Sequence, residues 1–177
     1  MKSMKSELSN AITLIWLNFG MRSRTGNTPG FDAGKALEYF LLRAFELEGA
    51  VVTWPYQVDL FDIQVEQIDG VIYWDSLSFI IEAKDRRENV SIESVAKLRN
   101  QLLRRPSSTI GVIFSSSGFT EPAIMLSKFL APATILLWTG DEIQLAFASR
   151  TMCDGLIKKF RYSVERGLTD YNLCAED

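Results

Sequence analysis

An α/β fold, with a central mixed β-sheet flanked by helices on both faces, is what this sequence predicts, and three observations lead there. Segments 33–48, 91–105 and 149–166 carry apolar residues at helical spacing and alternate with runs of strand length. Asp75-Ser76 separates two apolar runs and predicts a hairpin of antiparallel neighbours. Thr109–Phe114 is a continuous apolar run, as expected of a strand covered on both faces. Helices and strands in this order bury their apolar sides only by layering helices against both faces of one sheet.

Taken in order, a first helix is expected over Ser6–Phe19, followed by a Gly-, Pro- and Asn-rich linker from Arg22 to Gly30. Asp32 caps a second helix, Ala33–Glu48, which Gly49 closes. Within it Glu38 stands at helical spacing from Leu41, Leu42 and Phe45, so its carboxylate lies at the margin of an apolar face. Such a glutamate either reaches to water or serves a site. Next come a strand Val71–Trp74, the turn, and a strand from Leu77 to Lys84. In the helix Ser91–Arg105, Ile92, Val95, Ala96, Leu102 and Leu103 mark the inward face; Arg99 falls on it and either snorkels past the core or points to a cleft, while Gln101 faces elsewhere. After the strand Thr109–Phe114, Thr120-Glu121-Pro122 starts a helix to Leu130. Ala133–Trp138, the turn Thr139-Gly140-Asp141-Glu142 and Ile143–Phe147 predict a second hairpin. A closing helix, Ser149–Arg166, sets Met152, Leu156, Phe160 and Val164 along one stripe, and Thr169–Asp177 is expected to fray. The organisation is thus an N-terminal helix and linker (1–29), a core (30–148), and a C-terminal helix and tail packed on it (149–177).

Composition narrows the chemistry. The 177 residues suit one domain with a substantial core, and 47% hydrophobic with 23% charged residues is ordinary for a globular protein. There is no histidine, which excludes Ser-His and Cys-His nucleophilic systems and histidine acid–base catalysis. Two cysteines, Cys153 and Cys174, are too few for a zinc site and are expected as reduced thiols in a cytoplasmic protein. Lys2 and Lys5 before the apolar run Ala11–Leu17 resemble a signal peptide, but Glu7, the short run and the missing small-residue cleavage site argue otherwise. No run approaches the ~20 apolar residues of a membrane span. The formal charge of −3 is not that of a general nucleic-acid coat. The basic residues are nevertheless clustered: Arg22 and Arg24; Lys84, Arg86 and Arg87; Arg104 and Arg105; Lys158, Lys159 and Arg161. Each cluster is either a solvated surface or a phosphate patch.

The chemistry concentrates in Ile68-Asp69-Gly70 and Phe79-Ile80-Ile81-Glu82-Ala83-Lys84. Side chains alternate along a strand, so Glu82 and Lys84 share one face. With Asp75-Ser76 as a two-residue loop, Trp74 faces Leu77, Ile72 faces Phe79, and the same register brings Asp69 opposite Glu82. Two carboxylates then converge beside one lysine. Their repulsion, on a face that also carries Ile80 and Val71, calls for a compensating cation, and Mg²⁺ is commonly held by one or two carboxylates with waters and phosphates.

Asp69 followed by Glu82-Ala83-Lys84, with Glu38 on the preceding helix, resembles the PD-(D/E)xK nuclease superfamily, and most closely its Mrr-like restriction-endonuclease branch. Gly34–Phe40, Gly49–Val52, Gly111–Thr120 and Ala123 continue the likeness, which spans about residues 30–147. Two departures are visible: no proline precedes Asp69, and the branch often has glutamine where Glu82 stands. The resemblance implies a restriction-endonuclease-like fold and hydrolysis of DNA phosphodiesters to 5′-phosphate and 3′-hydroxyl ends. Asp69, Glu82 and the Ala83 carbonyl would hold Mg²⁺ or Mn²⁺, Lys84 would orient or deprotonate water, and Glu38 would hold a further water or a second cation. DNA is the implied partner, and double-strand cutting by one site per chain would favour a homodimer. The alternative is a nuclease-like module that senses DNA or docks a protein without cutting.

Overall fold

The computed structural model describes residues 34–54 and 56–175, so the expected helix Ser6–Phe19, the linker, Arg22, Arg24 and the Asp32 cap lie outside the described residues. Helix α1 (Lys35–Leu47) buries Ala36, Leu37, Phe40, Leu41, Leu42, Ala44 and Phe45. Its end is set by Gly49, whose φ of +105° lets the chain reverse into β1 (Val51–Thr53). A ribbon follows, β2 (Tyr56–Leu60) paired with β3 (Ile63–Ile68), then β4 (Gly70–Trp74), β5 (Leu77–Lys84), α2 (Ile92–Leu102), β6 (Thr109–Ser115), α3 (Glu121–Lys128), β7 (Ile135–Trp138), α4 (Gly140–Ser149) and α5 (Met152–Arg166). The main sheet is mixed and five-stranded in the order β1-β4-β5-β6-β7. β4 is antiparallel to both β1 and β5, whereas β5, β6 and β7 run parallel. No helix among the described residues is long and apolar enough to cross a membrane.

Alternation along the strands splits the core into two layers. Ile72, Phe79, Ile81, Val112, Phe114, Leu136 and Trp138 face α1, α4 and α5. Val71, Ile80, Ile113, Ile135 and Leu137 face α2 and α3 through Val95, Leu98, Leu102 and Ala123. The expected hairpin register holds, with Trp74 paired to Leu77, Ile72 to Phe79 and Gly70 to Ile81. Asp75 and Ser76 take positive φ angles of 49° and 64°, the twist that a two-residue hairpin loop requires.

Four expectations are corrected. Ile143–Phe147 is not a strand but part of α4, because Thr139 and Glu142 form a reciprocal capping box that starts a helix where a turn was expected. The inward residues of α2 are Val95, Leu98, Gln101 and Leu102; Ile92 and Leu103 are exposed, and so is Arg99. Val164, placed on the inward stripe of the closing helix, is exposed, and Lys159 is buried instead. The tail is tied down rather than frayed as far as Leu173: Ser127 Oγ lies 2.9 Å from Thr169 Oγ1, and Leu173 N–H donates to Glu142 at 2.8 Å. Lys159, ion-paired with Glu142 at 2.6 Å, also donates to the Tyr171 carbonyl.

Candidate active site

The end of β5 and the approach to β4 form the site. Asp69 lies between β3 and β4, one residue before the last Gly70–Ile81 pair, and so stands beside Glu82. Its Oδ2 accepts a hydrogen bond from the Ala83 N–H at 2.8 Å, which locks the carboxylate against the strand bearing Glu82 and Lys84. Burial and the neighbouring Glu82 charge push the Asp69 carboxyl up from 3.8 to about 6, with Glu38 adding to the effect. The Ala83 N–H and Lys84 oppose that rise. A carboxyl so raised marks a place where negative charge is crowded and poorly hydrated.

Glu82 is 1% exposed and is ion-paired with two lysines. Lys84, two residues along the same strand face, ion-pairs with its Oε1; Lys97, reaching from α2, lies 2.9 Å from Oε1 and 3.1 Å from Oε2. On the other side of the sheet edge, Glu38 is buried on α1 and paired with Lys35 at 2.6 and 2.9 Å. Its approach depends on Gly70: a Cβ there would meet Leu42 Cδ2 at 2.7 Å, and Leu42 lies one helical turn from Glu38. The small residue next to Asp69 thus lets α1 lie close to β4.

Glu38, Asp69, Glu82, Ala83 and Lys84 all line one open cavity of about 380 Å³, together with Lys35, Gln67, Arg86 and Lys97. The four residues assigned to chemistry from sequence are therefore brought together, and Ala83 lies among them. Lys97 was missed, since Arg99 drew attention on the same helix; the signal available was its place between the inward-facing Val95 and Leu98. Gln101, given no role, is buried and donates to the Gln67 carbonyl at 3.3 Å, linking α2 to the strand before Asp69. Of the basic clusters, Arg104 and Arg105 engage the buried Glu66 and fasten the β2–β3 ribbon to α2, and Lys159 is internal. Arg86 is an exposed residue on the cavity rim. A larger cavity of about 690 Å³, bounded by Trp74, Asp75, Lys158 and Arg161, lies at the hairpin-turn end of the sheet and gathers no comparable set of groups.

Among the described residues no three acidic, thiol or imidazole groups form a ready-made cation cluster, and lysines stand against Glu38 and Glu82. The donor chemistry nevertheless fits a hard divalent ion: the acceptors are carboxylate oxygens, no soft ligand lines the cavity, and Asp69 is buried beside the Glu82 and Glu38 charges.

The fold is similar to a solved protein of unknown function, AF1548, with TM-score 0.51 and 15% identity over 76% of this chain and 78% of that one. The DNA modification-dependent restriction endonuclease AspBHI is similar with TM-score 0.41 and 16% identity, covering 90% of this chain and 40% of that chain. The MspJI restriction endonuclease, solved in complex with a 27-mer oligonucleotide, is similar with TM-score 0.42 and 18% identity over 80% of this chain and 33% of that chain. No curated protein matches the chain. A family model described as restriction endonuclease matches residues 33–146, more than half of the sequence and every element that contributes to the cavity, and on that match the chain belongs to the restriction endonuclease family, in its Mrr-like PD-(D/E)xK branch.

Proposed function

We propose that the protein is a metal-dependent DNA endonuclease of restriction or defence type, hydrolysing phosphodiester bonds at the cavity lined by Glu38, Asp69, Glu82 and Lys84. The observation that carries this is the convergence of three carboxylates from α1, the β3–β4 junction and β5 with the Lys84 ammonium around one opening. Asp69 and Glu82, with the Ala83 carbonyl, are the groups that would hold Mg²⁺ or Mn²⁺. When bound, such an ion polarises the phosphate and neutralises the charge that develops on it. Lys84 is mostly buried, which fixes its ammonium beside the carboxylates, where it donates a hydrogen bond that orients a water for in-line attack and offsets charge on the phosphate. Glu38 holds a second water, or a second cation, from the α1 side. The Ala83 N–H engages one Asp69 oxygen and leaves the other free of that bond to ligate a cation.

DNA is the partner this reading requires, with Arg86 and Lys35 at the cavity rim available to meet the backbone. Double-strand cutting would pair two such sites in a homodimer. The test is supercoiled-plasmid nicking with Mg²⁺ or Mn²⁺ and with chelator. Wild type is expected to cut only with the cation, and Lys84→Ala and Glu82→Ala to lose at least about 10²-fold in rate. Activity that survives both changes refutes the site. A well-folded wild type that binds DNA and never cuts favours the alternative, a silent DNA-sensing or docking module.

A further inference from the structure

Glu82 cannot keep all of its present partners and also ligate a divalent ion. Lys97 spans both of its oxygens, at 2.9 and 3.1 Å, and thereby occupies the approach a cation would use. Of the two lysines on Glu82, Lys84 has a side chain only 17% exposed and is held on the strand, whereas the Lys97 side chain is 52% exposed. A half-exposed ammonium leaves a carboxylate at little cost, because water replaces the lost partner. The Glu82 carboxylate, at 1% exposure, has no such recourse and is strongly destabilised without a counter-charge. Something cationic must therefore always stand on Glu82.

We propose that Lys97 is an exchangeable counter-ion: it pairs with Glu82 and holds it in place while no metal is bound, gives way when a divalent cation arrives, and then turns its ammonium to a DNA phosphate entering the same cavity. This rests on the endonuclease reading above and adds to it a positioning residue, carried on α2, that couples cation binding to backbone contact. Its release is local, since α2 stays fixed by Val95, Leu98 and Leu102 in the core. The displaced group remains on the cavity wall with Arg86, where positive charge is of use to a polyanion.

The test compares wild type, Lys97→Gln and Lys97→Arg as full chains. In calorimetric titration with Mn²⁺ and no DNA, Lys97→Gln is expected to bind several-fold to about thirtyfold more tightly, and Lys97→Arg no more tightly than wild type. In DNA binding with Ca²⁺, Lys97→Gln should lower the salt slope of log K by about 0.9, one phosphate contact, and should leave it unchanged in chelator. A third readout needs no variant: in ¹⁵N spectra of wild type, Mg²⁺ should shift the Lys97 ammonium strongly. Wild type binding Mn²⁺ with Lys97→Gln no tighter, an equal slope change with and without Ca²⁺, or an unmoved Lys97 signal overturns this proposal and leaves the endonuclease reading standing. Wild type that binds no Mn²⁺ overturns both.

Discussion

Asp69 carries an electrostatic penalty for its burial beside Glu82. Its carboxyl is raised from 3.8 to about 6 on folding, so the folded protein holds that proton more tightly than the unfolded chain does. This group's contribution to stability is therefore greatest below about pH 4, declines as pH rises to about 6, and stays low above that. The loss is at most about 3 kcal/mol, from roughly two pKa units at 1.36 kcal/mol each. Asp69→Asn keeps an acceptor for the Ala83 N–H and removes the charge, so urea unfolding at pH 7.5 should show a gain of about 1–3 kcal/mol that vanishes at pH 4. The same variant should lose cleavage, a stabilised but inactive protein. Cation affinity of the wild type should rise about tenfold per pH unit below pH 6 and level off above it, since the ion competes with one proton. Titration calorimetry across pH 5–8 reads this directly. Asp69 and Glu82 were legible in the sequence because a two-residue turn fixes register and register fixes opposition. Lys97 was legible only through its neighbours Val95 and Leu98, whose inward packing turns it toward Glu82 across a contact between α2 and the sheet.

At the scale of elements, the β4–β5 hairpin and the α1–β4 contact position the site. Ser76 stands at φ 64°, where an L side chain is disfavoured, so Ser76→Gly should stabilise the protein by roughly 1 kcal/mol in denaturant unfolding and leave nicking unchanged. Gly70→Ala places a methyl group against Leu42 and should cost about 1–3 kcal/mol, with a loss of cleavage beyond that expected from unfolding because α1 and Glu38 are displaced together. A Leu42→Ala partner change should restore part of the activity. The elements read well where periodicity and burial agree, as in α1 and β6. Thr139-Gly140-Asp141-Glu142 misled because the same residues that suit a turn also make a helix cap, and what selects the helix is the reciprocal bond between Thr139 and Glu142. The β2–β3 ribbon escaped notice, being a pair outside the main sheet that Glu66 fastens to Arg104 and Arg105.

At the scale of the molecule, the candidate site lies at one end of the sheet and the α4–α5 layer holds a buried ion pair. Glu142 and Lys159 are both buried and paired, and Glu142 also caps α4 and receives the Leu173 N–H. Lys159→Met should therefore cost about 3–5 kcal/mol by stranding a carboxylate, and adding Glu142→Gln should recover part of it, as thermal unfolding will show. The layer order was legible because the alternation of helices and strands admits few packings. The seating of the tail was not, since it depends on a carboxylate buried inside another element. The central claim is that Asp69 and Glu82 together grip a divalent cation. It is tested most directly by soaking crystals in Mn²⁺ and measuring anomalous diffraction. The account predicts a peak in the cavity bonded to both carboxylates, with Lys97 withdrawn from Glu82; a cavity without a peak at saturating Mn²⁺, or a peak that touches neither Asp69 nor Glu82, contradicts it.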